Sequence, residues 1–360
     1  MNIFVFGTRG FPNIQGGVEE HCENLYSLVA SKRYSVTVFR RKPYIINGMD
    51  NYENISFIDL PSTKIPGFEA FFHSFLCTVI CIIKRPEIVH VHNIGPGIFN
   101  PLLKIVGLKV ILTYHSPNYE HSKWSPLIKT FLKLAEYVSI KFADRVIFVS
   151  NFQKEKLGVN LKFININNGV RTPQVTNNDD FIKDLGLKRR EYILAVGRLV
   201  EEKGFDLLIN AFERTRPNDL KLVIAGDADH ETLYSKRLKV LGNSLYIIFP
   251  GFVKGEKLQQ LYSHARLFVI SSYNEGLPLS LLEAMSYNLP VLASDIGANK
   301  QIGLSKDSFF RSGDIESLTK KLDQLLALRF EPVNYNLEPY NWRNIALLTK
   351  SEYDKVISDK

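Results

Sequence analysis

The chain has 360 residues, 45% of them hydrophobic and 23% charged, which supplies enough apolar surface to offset ordering entropy and excludes a disordered or collagen-like protein; the length predicts two domains of roughly 150–180 residues. The net charge of +8 is uneven, with +7 in residues 1–170 and +1 in residues 171–360, and suits an anionic membrane surface, nucleic acid or a phosphate-bearing substrate. No tight Lys/Arg run interleaved with aromatics occurs, so nucleic acid is not expected as a partner.

The opening apolar run Asn2–Phe6 has no basic leader or long hydrophobic region around it and reads as a strand rather than an export signal. It leads into GTRGFPNIQGGVEEHCENL, a glycine-rich loop before a helix expected to start near Val18. Gly16 and Gly17 would let the backbone approach a ligand, and amides at the helix start suit an anion or a hydroxyl, although the loop lacks the GxGxxG dinucleotide spacing. Strands follow at Val36–Arg40 and Ile55–Leu60. The most apolar stretch, Phe68–Ile83, carries Glu69, His73 and Ser74; its uninterrupted part is shorter than the roughly 20 residues a spanning helix needs, so a buried helix is expected.

Further strands are expected at Ile88–His92, Lys109–Tyr114, Arg145–Ser150 and Phe163–Asn167. His90 and His92 share a strand face but show no obvious third ligand, so no metal site is expected there. Residues 122–142 form a basic amphipathic pattern, Lys123, Lys129, Lys133 and Lys141 among Trp124, Leu127, Ile128, Phe131 and Leu132. Such a helix either lies on an anionic bilayer or packs as an ordinary surface helix. Cys22, Cys77 and Cys81 are an odd set without a CxxC and point to a reducing compartment, here the cytoplasm.

After Gly169 the run RTPQVTNNDD lacks apolar periodicity, so residues 171–188 read as a linker between a domain at 1–170 and one at 189–338. The second repeats the alternation, with strands at Tyr192–Val196, Leu220–Ala225, Leu245–Pro250, Leu267–Ser271 and Pro290–Ala293. Residues 339–360 read as helices packing back toward the first domain, with a stripe of Trp342, Ile345, Leu348, Tyr353 and Ile357. The fold class is α/β, two doubly wound parallel-sheet domains. Ligands of such sheets bind beyond the carboxyl ends of the strands, so two facing domains would make a cleft.

Arg198 follows a strand and Lys203 precedes a helix, two cations around one loop that suit a diphosphate. In ISSYNEGLPLSLLEAMSYNLPVLASDIG, Glu275 falls in a loop and Glu283 in the next helix, eight residues apart, about 12 Å along a helix axis. That spacing suits two hydroxyl-bearing ends of an extended ligand and exceeds the roughly 5–9.5 Å of a hydrolytic carboxyl pair. The amides of Gly276, Leu277 and Leu279 could hold phosphate oxygens. Asp227-Ala-Asp229 spells a DxD metal motif but trails a strand whose neighbourhood already holds Arg198 and Lys203, so a metal role is discounted.

This ordered set, together with HVHN at 90–93, LTYHS at 112–116, ADRVIFVS at 143–150, NNGV at 167–170, LVIAGD at 222–227 and PGFV at 250–253, resembles family-4 retaining glycosyltransferases of the GT-B fold, two facing Rossmann-like domains. The opening GTRGFPNIQGGVEE resembles a subgroup of bacterial O-antigen and capsule assembly that includes rhamnosyltransferase-like members. The resemblance implies that Arg198 and Lys203 bind the pyrophosphate of a nucleotide-sugar donor, with Glu283 on the ribose, Val253 beside the base and Glu275 on the transferred sugar. His115 would sit near the anomeric centre, and Gly16 and Gly17 near the leaving phosphate and the acceptor, a glycan or lipid-linked hydroxyl. It further implies no cofactor and no metal, and a location that is cytoplasmic or peripheral on the inner membrane. Three positions depart from the pattern: Asn167 where proline is usual, Arg171 where an acid is common, and Gln301 where glutamate is frequent. A sugar phosphorylase, a nucleotide-sugar epimerase and a non-catalytic nucleotide-sugar-binding subunit stay open as alternatives.

Overall fold

The computed structural model describes residues 1–45, 51–63, 65, 68–117, 119, 125–158, 160–215, 220–228, 231–242 and 244–358. The chain divides into two compact units, Met1–Gly169 with Tyr340–Lys360, and Val170–Pro339. In chain order the first holds β1 (Asn2–Phe6), α1 (Gly17–Val29), β2 (Ser35–Arg41), β3 (Asn51–Tyr52), β4 (Ile55–Leu60), α2 (Phe68–Lys84), β5 (Ile88–His92), α3 (Asn100–Ile105), β6 (Lys109–Tyr114), α4 (Pro126–Lys141), β7 (Arg145–Phe148), α5 (Asn151–Leu157) and β8 (Phe163–Asn165). The second holds α6 (Asp180–Asp184), β9 (Tyr192–Val196), α7 (Phe205–Thr215), β10 (Lys221–Ala225), α8 (Leu233–Leu241), β11 (Ile247–Ile248), α9 (Glu256–His264), β12 (Leu267–Ile270), α10 (Leu279–Ser286), β13 (Val291–Ser294), α11 (Gly297–Lys300), β14 (Phe309–Phe310) and α12 (Ile315–Ala327). Helix α13 (Trp342–Ser358) completes the first unit.

The first sheet runs β3-β4-β2-β1-β5-β6-β7-β8 and is parallel except where β3 meets β4. Along β1, Ile3 and Val5 join a core with Cys22 and Tyr26 of α1 and Trp342, Ile345 and Tyr353 of α13. Phe4 and Phe6 join the opposite core with Cys77 and Cys81 of α2 and Leu103 of α3. Burial on both faces is why this strand reads as an unbroken apolar run. The second sheet, β11-β10-β9-β12-β13-β14, is parallel throughout. One of its faces is sealed by α7 and α12, where Leu208, Phe212, Leu318 and Leu322 cluster with Ile193, Ile224 and Val269. The expected α/β class with two Rossmann-like sheets is the observed one.

Strand order reverses once in each sheet, at β1/β5 and at β9/β12. Those switch points open crevices at the carboxyl ends of the strands, where ligands of such sheets bind.

Three expectations need correcting. Residues 171–188 are not a free linker: they belong to the second unit, where Phe181 N donates to Gln260 Oε1 at 2.8 Å, His264 Nε2 donates to the Asn178 carbonyl at 2.8 Å, and Ile182 and Leu187 are buried. Their polar composition hid contacts made largely through the backbone. Helix α2 is fully buried only at His73, Ser74, Cys77, Thr78 and Cys81, with Ile80 and Ile82 partly buried against the core, while Phe68, Phe71, Phe75, Val79 and Ile83 are exposed. On α13 the buried stripe is Trp342, Ile345, Ala346, Thr349, Glu352, Tyr353 and Val356; Leu348 faces solvent. The three cysteines are free and buried.

Candidate active site

In the first unit the loop between β1 and α1 is closed by a buried ion pair. Arg9 Nη2 lies 3.2 Å from Glu19 Oε2, and the Arg9 amide and Thr8 hydroxyl donate to Glu19 Oε1 at 3.0 and 3.2 Å. Arg9 also donates to the Gln15 carbonyl. Burial raises the Glu19 carboxyl, but the Arg9 charge and hydrogen bonds outweigh it and hold the group below its ordinary value. Gly16, just ahead of α1, has φ +150°, and a Cβ there would lie 2.0 Å from Glu19 Oε2, so only glycine fits beside the clasp. Gly17 differs: it is exposed, and a Cβ would meet nothing within 4 Å.

His115 follows β6 and is buried, as are His21 of α1 and His90 and His92 of β5. A continuous hydrogen-bonded chain joins Thr113 Oγ1 to His90 Nε2 (2.7 Å), His90 Nδ1 to Tyr26 Oη (2.9 Å), Tyr26 Oη to His92 Nε2 (2.7 Å) and His92 Nδ1 to His115 Nε2 (3.0 Å). Tyr353 of α13 joins it at His90 Nδ1, 2.6 Å away. Each imidazole in the chain has both a donor and an acceptor to supply, so the chain is satisfied with all three rings neutral. Burial, with smaller contributions from neighbouring rings, lowers His90 to about 3 and His92 and His115 well below their ordinary value. His21 is lowered by burial to about 4; its Nδ1 meets Asn168 Oδ1 at 2.8 Å and its Nε2 is buried without a hydrogen bond.

His21, His92 and His115 each bring a nitrogen to within 4.8 Å of the other two. The structure therefore supplies a third imidazole for His92, which strand periodicity did not reveal, in place of the His90–His92 pair alone. His90 itself is occupied by Tyr26, Tyr353 and Thr113.

In the second unit Arg198 stands in the loop after β9 and Val253 in the loop after β11, and the loops after β10 and β11 are tied by Gly226 N to the Gly251 carbonyl at 2.8 Å. Lys203 and Glu275, 72 residues apart, meet at 2.6 Å after the paired strands β9 and β12. Glu275 Oε1 also accepts from Ser272 Oγ at 2.6 Å, and Ser271 Oγ fixes the Lys203 carbonyl at 2.8 Å. Gly204 holds this corner at φ +61°, where a Cβ would lie 2.4 Å from the Ser271 carbonyl oxygen.

Gly276 and Leu277 lie ahead of α10, with Pro278 as its N-cap and Leu279 its first residue. Glu275 to Glu283 is therefore half loop, and the helical rise does not measure their separation. Glu283 accepts from Tyr262 Oη at 2.8 Å, and Tyr262 stacks on Tyr287 at 5.3 Å. Gln301, one of the departures, donates to the Gly276 carbonyl at 3.3 Å.

The structure thus brings Lys203 to Glu275 and ties Glu283 to an aromatic pair. Arg9, Glu19, His21, Tyr26, Asn168 and Tyr262 were not singled out from sequence. A faint signal existed for Glu19, an acid three residues after Gly16 on the first turn of a helix facing the glycine loop; the others are set by long-range packing. Asp227 is half exposed and within 3.4 Å of Lys239, while Asp229, Lys123 and Trp124 lie outside the described residues.

Residues 15–172 match the family model described as Glycosyltransferase Family 4, and residues 177–340 match Glycosyl transferases group 1. The chain is 24% identical over 348 residues to the amylovoran biosynthesis glycosyltransferase AmsD of Erwinia amylovora, covering 92% of both chains. Among solved structures it is similar to a sucrose-phosphate synthase of Thermosynechococcus elongatus, TM-score 0.82 at 19% identity with all of both chains covered. It is also similar to Anabaena HepE in complex with UDP-glucose, TM-score 0.73 at 18% identity, covering 100% of this chain and 99% of that one.

Proposed function

The chain is a glycosyltransferase of the GT-B class, and from that premise we propose that it transfers a hexose or deoxyhexose, with retention and without a divalent ion, from a nucleoside-diphosphate sugar to a lipid-linked glycan hydroxyl in bacterial surface-polysaccharide synthesis. Arg198 and Lys203 take the diphosphate, with the amides of Gly276, Leu277 and Leu279 as further donors. Glu283 takes the ribose hydroxyls, Val253 flanks the base, and Glu275 and His115 hold hydroxyls of the sugar. In the reaction the anomeric C–O bond to phosphate breaks while the bond to the acceptor oxygen forms on the same face. The acceptor's proton passes to the departing diphosphate, whose growing charge the two cations stabilise. A neutral His115 can donate to or accept from a sugar hydroxyl without adding charge beside the developing oxocarbenium.

The observation that carries this reading is the 2.6 Å contact of Lys203 with Glu275 at the switch point of the second sheet. It brings together a cation able to take phosphate and a carboxylate able to take hydroxyls, a pairing that suits a sugar diphosphate. The test is release of free nucleoside diphosphate from a panel of nucleotide sugars in EDTA, with lipid-linked acceptors and a Glu275→Ala control. Acceptor-dependent release with one donor, lost in the control, is expected. Tight donor binding without turnover for any acceptor would replace the transferase by a binding subunit, and phosphate-dependent release would replace it by a phosphorylase.

Gly17→Ala separates a ligand's demand from the fold's. The chain leaves a Cβ at residue 17 unobstructed, and alanine suits a helix better than glycine by about 1 kcal/mol, so the melting temperature should hold or rise. If a leaving phosphate and an acceptor pass over this residue, kcat/KM should still fall at least about tenfold, the effect of 1.4 kcal/mol in the transition state. Unchanged kinetics would remove Gly17 from the site.

A further inference from the structure

Helices α2, α3 and α4 of the first unit leave several large apolar side chains on the outside. α2 buries Ser74, Cys77, Thr78 and Cys81 and exposes Phe68, Phe71, Phe75 and Ile83, the last at 70%. α4 buries Ala135 and Ser139 and exposes Leu127, Phe131 and Leu134. Ile105 of α3 is 81% exposed. These surfaces adjoin. Phe99, in the turn leading to α3, has the rings of Phe71 and Phe75 at 5.0 and 5.9 Å, and Gly97 of that turn meets α4 so closely that a Cβ would lie 2.4 Å from Ser139 Cβ. Apolar patches of this extent mark interaction sites.

The charges decide the partner. The three helices carry Lys84, Lys104, Lys129, Lys133 and Lys141 against two acids, Glu69 and Glu136. Both acids are engaged by neighbouring side chains: Glu69 accepts from Tyr44 at 2.6 Å and pairs with Arg41 at 3.4 Å, while Glu136 accepts from Tyr114 at 2.6 Å and Tyr119 at 3.3 Å. Lys104 pairs with Asp144 at 2.7 Å. What faces outward is apolar surface studded with cations. Two copies meeting isologously through this face would set lysine against lysine with no outward acid on these helices to answer. An anionic lipid surface answers both features. Among the described residues no helix is long and apolar enough to cross a membrane, so the face lies on the surface.

We propose that the α2–α3–α4 face docks on an anionic bilayer, its phenylalanines and leucines entering the headgroup–acyl boundary and its lysines at phosphate level. The purpose of docking, to reach a lipid-linked acceptor, rests on the transferase reading; the docking itself does not.

The test is flotation of the full chain with phosphatidylcholine vesicles, with and without phosphatidylglycerol, at low and high salt. The wild type should bind the anionic vesicles, lose them at high salt and ignore the neutral ones. Lys129→Glu with Lys133→Glu should weaken binding at least about tenfold, and Phe71→Ser with Phe75→Ser by a similar factor, both in variants that still melt cooperatively; the phenylalanine pair melts lower because it loses its contacts with Phe99. Absent binding, or both variants binding like the wild type, overturns the proposal. So does a stable oligomer that the phenylalanine variant dissociates without any vesicle binding. Nucleoside-diphosphate release is read in parallel without vesicles. Vesicle binding without turnover sinks the transferase and leaves the docking; turnover without vesicle binding does the reverse.

Discussion

Arg198→Ala should lower nucleoside-diphosphate release by about 10²–10³-fold in kcat, the usual cost of removing one preorganised donor from a charge that grows in the transition state. The side chain stands in the loop after β9, at the point where the strand order of the second sheet reverses. A guanidinium there can grip two oxygens of a diphosphate at once, which an ammonium cannot, so Arg198→Lys should recover only part of the loss. Arg198 is a cleaner probe than Lys203. Removing Lys203 leaves Glu275 held by Ser272 without its cation, so the effect would mix lost phosphate binding with a misplaced carboxylate. Steady-state kinetics with the preferred donor, beside a melting curve, makes the check: a large kcat loss on an unchanged fold is expected, and a wild-type kcat would remove Arg198 from the leaving group.

Acid should destabilise the protein well before its carboxylates titrate. Burial lowers His21 and His73 to about 4 and His90 to about 3, and takes His92 and His115 down as well. In the unfolded chain each takes up a proton near pH 6.5, whereas in the folded chain His21 and His73 stay neutral until about pH 4 and His90 until about pH 3. Between those values the unfolded state binds more protons, so stability falls as pH falls, by about 1.4 kcal/mol per pH unit for each histidine. Above pH 6.5 the effect vanishes. His21, His73 and His90 together would remove about 4 kcal/mol per unit, a large part of the 5–15 kcal/mol an ordinary protein has. Glu19 acts in the same direction at lower pH: its depressed carboxyl stabilises the fold above its unfolded value and the benefit is lost as pH falls through the folded one. Urea midpoints between neutral pH and pH 5 should drop steeply, and His73→Gln, which removes one titration away from the candidate site, should flatten the slope. A flat wild-type profile over that range would mean the imidazoles are charged in the folded protein.

Much of the fold was legible in the sequence, for a specific reason. β1, β5, β6 and β9 match the expected spans to the residue, because parallel strands covered on both faces give apolar runs bounded by turn residues; β4, only partly buried, matches as well. Where one face is open the signal blurs: the expected strand Leu245–Pro250 shrinks to Ile247–Ile248, with Leu245 and Tyr246 exposed at 88% and 52%. Helical periodicity located α2 but not which face it buries, because the assumption that large apolar residues go inward fails there. The motif loops of the candidate site were legible because glycine, charge and turn chemistry are local. The Tyr26–His90–His92–His115 chain was not, since its members come from α1, β5 and the end of β6 and only sheet pairing brings them together. The Arg9–Glu19 clasp was hidden because two charged residues in a loop and a helix read as solvated until burial shows otherwise.

The return of α13 to the first unit also governs the order in which the chain can be made. The second unit is a continuous stretch, Val170–Pro339, inserted into a first unit whose last segment begins at Tyr340. A ribosome therefore finishes every strand of the first sheet some 170 residues before it delivers Trp342, Ile345 and Tyr353, which fill that sheet's core. Until then the nascent sheet carries an apolar face that α1 covers only in part, and the inserted unit is free to fold first. Vectorial synthesis thus reverses the order written in the sequence, so that the first half to emerge is the last to be sealed.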